Sequence, residues 1–318
     1  MAIVRLASVV AAIAIAGCGS SGSSTSGTTV GPQGGDDGGT TTPPGDGGVT
    51  TTADTVTLTM GPFDVPGGQE VFICQDFANP FGGVDQDIIK YEEHMTPGSH
   101  HMFLFFMSGA QNGDAKNCPA GGFEFHPYPL TAGTPDYAQT YPDGVGSMVP
   151  GNMGFRVNAH YVNPGSTPVK GTVTVTLHKA PPGSVKQHAG VVFMNQVGLT
   201  VPPGVSTSTR SCSLPAGLNI MQTASHMHQR GTAFEAKTQD GTMLYQTDQW
   251  ADPKPRLFTP PLALTSATNV TWSCTYNNDT GQTLTFGEFA GTNVMCIFEA
   301  QYYPVADPHN PLIECQKP

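Results

Sequence analysis

The chain has 318 residues, a formal net charge of −11 at pH 7 and 12% charged residues, about half the share usual in a globular protein. That balance leaves no basic stripe to neutralise phosphates, which excludes nucleic acid as a partner. With 39 glycines and 28 prolines, the chain predicts many turns between short strands, in a length that suits two ordinary domains or one large all-β domain.

Residues 1–17 read as an export signal. Arg5 supplies positive charge, Leu6 to Ile15 is an apolar run too short to span a bilayer, and small residues follow. Ile15-Ala16-Gly17-Cys18 resembles the lipobox of bacterial lipoproteins, which implies cleavage before Cys18 and lipidation of that residue. Gly19 stands where Asp would imply retention at the inner membrane, so the expectation is an exported lipoprotein anchored in the cell envelope at the outer membrane. Residues 18–53 are mostly Gly, Ser, Thr, Pro and Asp, a composition that cannot bury enough surface to fold and reads as a flexible linker. Beyond Cys18 lie Cys74, Cys118, Cys212, Cys274, Cys296 and Cys315, an even number that in an exported chain implies three disulfides, with fifteen connectivities open. No pair of them is spaced as C-x-x-C, so neither a thioredoxin-type centre nor a zinc ribbon is indicated.

From residue 54 the pattern becomes that of strands. Val56 to Met60 alternates, Pro62, Pro66 and Gly67-Gly68 mark turns, and Glu70 to Cys74, Asp87 to Glu92, His100 to Phe106, Phe155 to Val162 and Thr172 to His178 follow as strands. Ala180-Pro181-Pro182-Gly183 cannot continue a strand ladder and is the expected break between domains 54–181 and 182–318. A second set follows at Val191 to Phe193, Asn219 to His228, Ala233 to Ala236, Asn269 to Trp272 and Val294 to Tyr303. The fold expected is all-β, two antiparallel, jelly-roll-like β-sandwiches.

Ten histidines are present, and five fall in suggestive places. His226 and His228 are two apart on a strand and share a face, so both imidazoles can meet one ion; a thioether from Met295 would make the set N/N/S, favouring Cu(I). His100 and His101 are neighbours, which in a regular strand face opposite ways, so both can meet one ion only at a bulge or strand end. His160 lies on a strand of the same domain. The order His-His, His-Tyr, His-x-His, Met-Cys, with Ile88-Ile89-Lys90-Tyr91-Glu92 before the first and Tyr302-Tyr303-Pro304 after the last, resembles the copper type II, ascorbate-dependent monooxygenases, whose best-known members act on peptidylglycine and dopamine. The resemblance spans roughly residues 55 to 318.

The resemblance implies two coppers per chain, one held by His100, His101 and His160 for electron transfer. The other, held by His226, His228 and Met295, is where O₂ and a substrate C–H bond meet, with ascorbate or a similar reductant as co-substrate. It also implies the disulfides Cys212–Cys315 and Cys274–Cys296, leaving Cys74 with Cys118. Two departures bear on substrate: Ala224 replaces an Arg that reads a peptide carboxylate, and Glu299 replaces a Tyr, which disfavours peptide amidation. Glu299 shares a face with Met295 and Ile297 and points to a small cationic or hydroxylated substrate, unless it pairs with Arg230 or Arg256. His94, beside the first motif, reads as a residue that orders a ligand, whereas His126, His178, His188 and His309 read as surface or turn positions. The other functional reading is a non-catalytic copper-binding lipoprotein that stores or delivers the metal.

Overall fold

In a computed structural model, residues 47–119 and 126–317 are described. The expected export signal, Cys18 and the larger part of the expected linker lie outside the described residues. The last part of that linker is ordered: Val49–Thr51 forms a strand whose Val49 sits opposite Leu58. Even a polar segment can be held this way, since pairing satisfies its backbone groups.

All regular structure among the described residues is β. Residues before 189 build two sheets. One runs through Val49–Thr51, Thr55–Val65, Val169–Lys179, Gln86–Met95, Val145–Val149 and Gln187–His188, with Asp136–Thr140 also on Gln86–Met95. The other runs Lys116–Asn117, Gln69–Phe77, Met153–Asn163, Ser99–Ser108 and Leu130–Ala132. Residues after 189 build a five-stranded sheet in the order Arg256–Leu264, Leu218–Met227, Cys296–Tyr303, Gly190–Gln196 and Leu312–Lys317. Facing it is a four-stranded sheet of Gly204–Leu214, Thr268–Asn278, Gly231–Thr238 and Met243–Thr247. Among the described strands, pairing is antiparallel except for Gln187–His188 on Val145–Gly146 and for Gly190–Gln196 on Leu312–Lys317, and an isolated bridge between Phe286 and Val294 is also parallel.

Period-two alternation explains how the two halves meet. On Ser99–Ser108, Met102, Leu104 and Phe106 enter the core of the first half with Phe155, Val157 and Ala159. The intervening Phe103, Phe105 and Met107 turn the other way and meet Val191, Phe193 and Ile297 of the second half. Those second-half strands alternate likewise, sending Val192, Met194 and Phe298 to their own core around Trp272. Strand Gly190–Gln196 is therefore buried on both faces. Removing side chains such as Phe105 and Phe193 from water is worth about 1.5–3 kcal/mol each, enough to hold the two outer faces together.

Several strands exceed or escape the sequence reading. Thr55–Val65 continues through Pro62, where a register shift lets Gly61 and Pro62 bulge opposite the step from Gly171 to Val173. A side chain on Gly171 could not fit, since an added Cβ would lie 2.2 Å from the Phe63 ring. Gly204–Leu214 was invisible because its Ser/Thr-rich text has no apolar stripe; full-length pairing with Thr268–Asn278 makes it a strand. Ala180 to Gly183 is a turn, closed by Ser184 N–H donating to Pro181 O.

Glu93 breaks the alternation of polar and apolar positions. It faces the same way as Tyr91 and Met95, is buried, and both of its carboxyl oxygens lack a partner among the described residues. Burial, followed by the negative charge of Asp136, pushes its pKa up to about 9. The folded chain keeps this carboxyl neutral, while the unfolded chain ionises it above about pH 4.5. Its contribution to stability is therefore full below that pH and is lost progressively as pH rises towards 9. Glu93→Gln is expected to stabilise the protein by on the order of 2 kcal/mol at about pH 7.5 and by nothing resolvable at about pH 4, read by urea denaturation at both pH values.

Candidate metal centre

One strand bulge and one strand end bring five histidines together. In the pairing of Ser99–Ser108 with Met153–Asn163, His101 sits opposite His160 while Ser99 sits opposite Tyr161. His100 is thus the extra residue of a β-bulge, which is how neighbouring rings come to the same side. The ring centroids of His100 and His101 lie 5.0 and 4.9 Å from that of His160. His226 lies near the end of strand Leu218–Met227, and His228 follows one residue beyond that end, 5.2 Å from His226.

The two sets are not separated by a cleft, as two sites in two domains would lead one to expect. His226 stands 5.2 Å from His100 and 4.9 Å from His101. Ring nitrogens of His100, His101 and His160 lie within 4.8 Å of one another, and so do those of His100, His226 and His228. His100 belongs to both groups.

Each of the five rings buries one nitrogen without a partner among the described residues: Nε2 of His100, His226 and His228, and Nδ1 of His101 and His160. Burial holds their pKa values low, to about 4 at His100, where Glu70 opposes it, and to about 3 at His228, where the His100 ring adds to it. His101, His160 and His226 are likewise well below the usual imidazole range, burial again leading. The rings are neutral at physiological pH and offer lone pairs. Buried, unpartnered and converging nitrogens are costly in an empty protein and are what a borderline metal such as copper takes as ligands.

The opposite ring nitrogens are anchored where the packing allows. His228 Nδ1 donates to Asn293 O at 3.2 Å, which directs Nε2 into the cluster. His160 Nε2 donates to Glu70 Oε1 at 2.6 Å, and the His160 ring is stacked on Phe72 at 4.0 Å. Sequence reading missed Glu70. It lies near the start of a strand, and only the register that puts Phe72 opposite His160 brings it to the His160 side. Phe72 is in turn packed with the Cys74–Cys118 disulfide.

Met295 sits between Val294 and the strand Cys296–Tyr303, its backbone carbonyl accepting from Tyr276 OH at 2.7 Å. Its side chain is buried with Phe105, Phe193 and Ile297. The Cys274–Cys296 and Cys212–Cys315 disulfides are both formed, the pairing that the resemblance implies. Glu299 does not pair with an arginine. Arg230 binds Asp279 and Gly291 O, and Arg256 binds Met243 O and lies over Phe258. Instead Tyr128 OH donates to Glu299 at 3.3 Å, and burial pushes the carboxyl pKa up to about 7. His94 is also misjudged. It is exposed and paired with Asp136 at 2.6 Å, far from ordering any ligand. His178 and His188 pair with Glu92 and Asp87 away from the cluster.

Beside the rings opens a cavity whose wall includes His100, His226, Tyr128, Trp250 and Glu299. Trp250, with its ring 5.7 Å from His100, is a second residue the sequence did not single out. Tyr137 OH donates to Gln222 across the two halves on the same wall.

Residues 189–317 match the family described as copper type II ascorbate-dependent monooxygenase, C-terminal domain. This is the half that carries His226, His228, Met295 and Glu299. No curated protein matches the chain. Among solved structures, the major capsid protein P2 from bacteriophage PM2 is 9% identical, over 78% of this chain and 97% of that one, with a TM-score of 0.33. A cupin 2 conserved barrel domain protein from Leptotrichia buccalis is 9% identical, over 72% of this chain and 87% of that one, with a TM-score of 0.15. Likenesses this slight carry no argument about function.

The Cys274–Cys296 bridge closes a loop of 22 residues next to Met295. The double change Cys274→Ser with Cys296→Ser is expected to cost about 3 kcal/mol in chemical denaturation, with the chain still able to fold.

Proposed function

From a C-terminal half that matches the copper type II ascorbate-dependent monooxygenases, we propose that the protein hydroxylates an activated C–H bond with O₂ and an ascorbate-type reductant. The observation that carries this reading is the convergence of five neutral imidazoles, each with a buried nitrogen that has no partner among the described residues, three of them (His100, His101 and His226) on the wall of a cavity. In the proposal His100, His101 and His160 hold one copper, and His226, His228 and Met295 hold the other. Bound there, copper supplies one-electron chemistry and O₂ reactivity, with the thioether favouring Cu(I).

The chain's own residues would do the rest. The apolar contact of Phe105 and Phe193 closes the two halves against each other next to the rings, and Phe103 and Trp250 line the cavity, which limits water. Glu299, held by Tyr128 OH and lacking a cationic partner among the described residues, would orient a small substrate through an ammonium or hydroxyl group. The proposal also keeps the exported, lipid-anchored form, with Cys18 as the anchored residue and the membrane as its partner. Storage or delivery of copper would use the same rings without O₂ chemistry.

Copper stoichiometry and ascorbate-driven O₂ uptake separate these readings. Two coppers per chain are expected, with uptake that falls at least about tenfold in Met295→Ala and in His101→Ala. Two coppers with no O₂ uptake in any form would leave storage or delivery, and a chain that binds no copper tightly would end both. Once a substrate is in hand, Glu299→Gln is expected to raise KM for an amine-bearing one by about tenfold, and much less for its neutral hydroxyl analogue.

A further inference from the structure

Glu70 joins the two halves at the metal centre through one oxygen. Its Oε1 accepts from His160 Nε2 at 2.6 Å and from the backbone N–H of Ala290 at 2.8 Å. Ala290 belongs to the second half, 220 residues away in sequence. Its carbonyl accepts from Gln229 N–H, the residue next to His228. Three residues further on, Asn293 O takes the Nδ1–H of His228. The loop between is braced internally, since Asn293 N–H donates to Phe289 O and Asn293 Oδ1 accepts from Phe289 N–H. Phe289 then meets the edge of Phe72, the ring stacked on His160.

We infer that Glu70 is a positioning residue that holds His160 as the Nε2–H tautomer and ties that ring to the loop anchoring His228. The physical case is direct. A carboxylate can only accept, so the nitrogen 2.6 Å from it must carry the proton, and Nδ1, buried without a partner among the described residues, is left as the lone pair that His160 can offer beside His100 and His101. The Ala290 bond makes the same oxygen a shared acceptor, so the orientation of a ring in one half and a loop in the other depend on one side chain. Glu70 is itself three-quarters or more buried, at 19% side-chain exposure, and His160 is fully buried, so water does not readily replace either bond. The functional meaning of this inference rests on the copper reading, but its geometry does not.

The test uses the full chain, first metal-free and then with Cu(II) alone. Nitrogen-15 NMR of the histidine rings reads the tautomer of His160 in the wild type, Glu70→Gln, Glu70→Ala and Asp76→Asn. Asp76 lies on the same strand and pairs with Arg156, so its loss reports general weakening of that strand. Expected is an Nε2–H His160 in the wild type and in Asp76→Asn, a tautomer mixture in Glu70→Ala, and an Nε2–H ring with a weakened bond in Glu70→Gln, which keeps an acceptor oxygen without the charge. Cu(II) affinity should fall about tenfold to a hundredfold in Glu70→Ala, with altered EPR signals, and Glu70→Gln should recover part of it. An Nδ1–H His160 in the wild type, or an unchanged tautomer and EPR spectrum in both Glu70 variants, overturns the inference. If Glu70→Ala does not fold, Glu70→Gln decides by the same two readouts. If the wild type binds no copper, the monooxygenase reading fails and the NMR result still decides the role of Glu70.

Discussion

Packing five imidazoles with their lone pairs turned toward one another is the constraint on which the rest of this structure depends. One nitrogen of each ring is buried without a partner among the described residues, so the arrangement forfeits about five hydrogen bonds that water would have provided. Everything around the cluster works against that cost. Two sandwich faces close over it through Phe105, Phe193 and Ile297, and Phe72 stacks on His160 with a disulfide at its back. Two of the rings are fixed by acceptors, a carboxylate at His160 and a backbone carbonyl at His228. On the proposed reading, a metal would supply the compensation that these nitrogens lack.

The fold class was legible because strands announce themselves by alternation and turns by glycine and proline, and both signals run through most of this chain. Val56 to Met60 and His100 to Phe106 carry apolar side chains at every second or nearly every position, which marks where the cores lie. Gly204–Leu214 carries no such signal, because its solvent face is mostly serine and threonine and its inner face mixes Ser206, Ser208 and Arg210 with Cys212 and Leu214; only its partner strand makes it β. Four of the five clustered histidines could be singled out locally, since adjacency in sequence and two-residue spacing are local properties, whereas His160 entered only through the family resemblance.

What could not be read was anything set by register between distant strands. That Phe72 lies opposite His160, and so that Glu70 reaches it, depends on pairing across about ninety residues, for which sequence offers no ruler. The fate of Glu299 was undecided for the same reason. Its Tyr128 partner lies in the other half, 171 residues away, and the two arginines that could have neutralised it were already engaged elsewhere. His94 misled by proximity in sequence: its strand carries it to the far sheet, where it meets Asp136.

The bulge at His100 has a consequence for how such a chain can change over time. With two imidazoles side by side on one strand, the geometry depends on the number of residues between the Pro97-Gly98 turn and Met102 as much as on their identity. Removing a single residue there would restore strict alternation and send one imidazole into the hydrophobic core between the sheets, whereas adding one would shift the whole aromatic face from its seam into that core. Substitutions can drift along this strand one at a time, but changes of length cannot. The segment is therefore open to altered chemistry and closed to insertion or deletion, so lineages could diverge in what the cavity accepts while their spacing at this turn stays frozen.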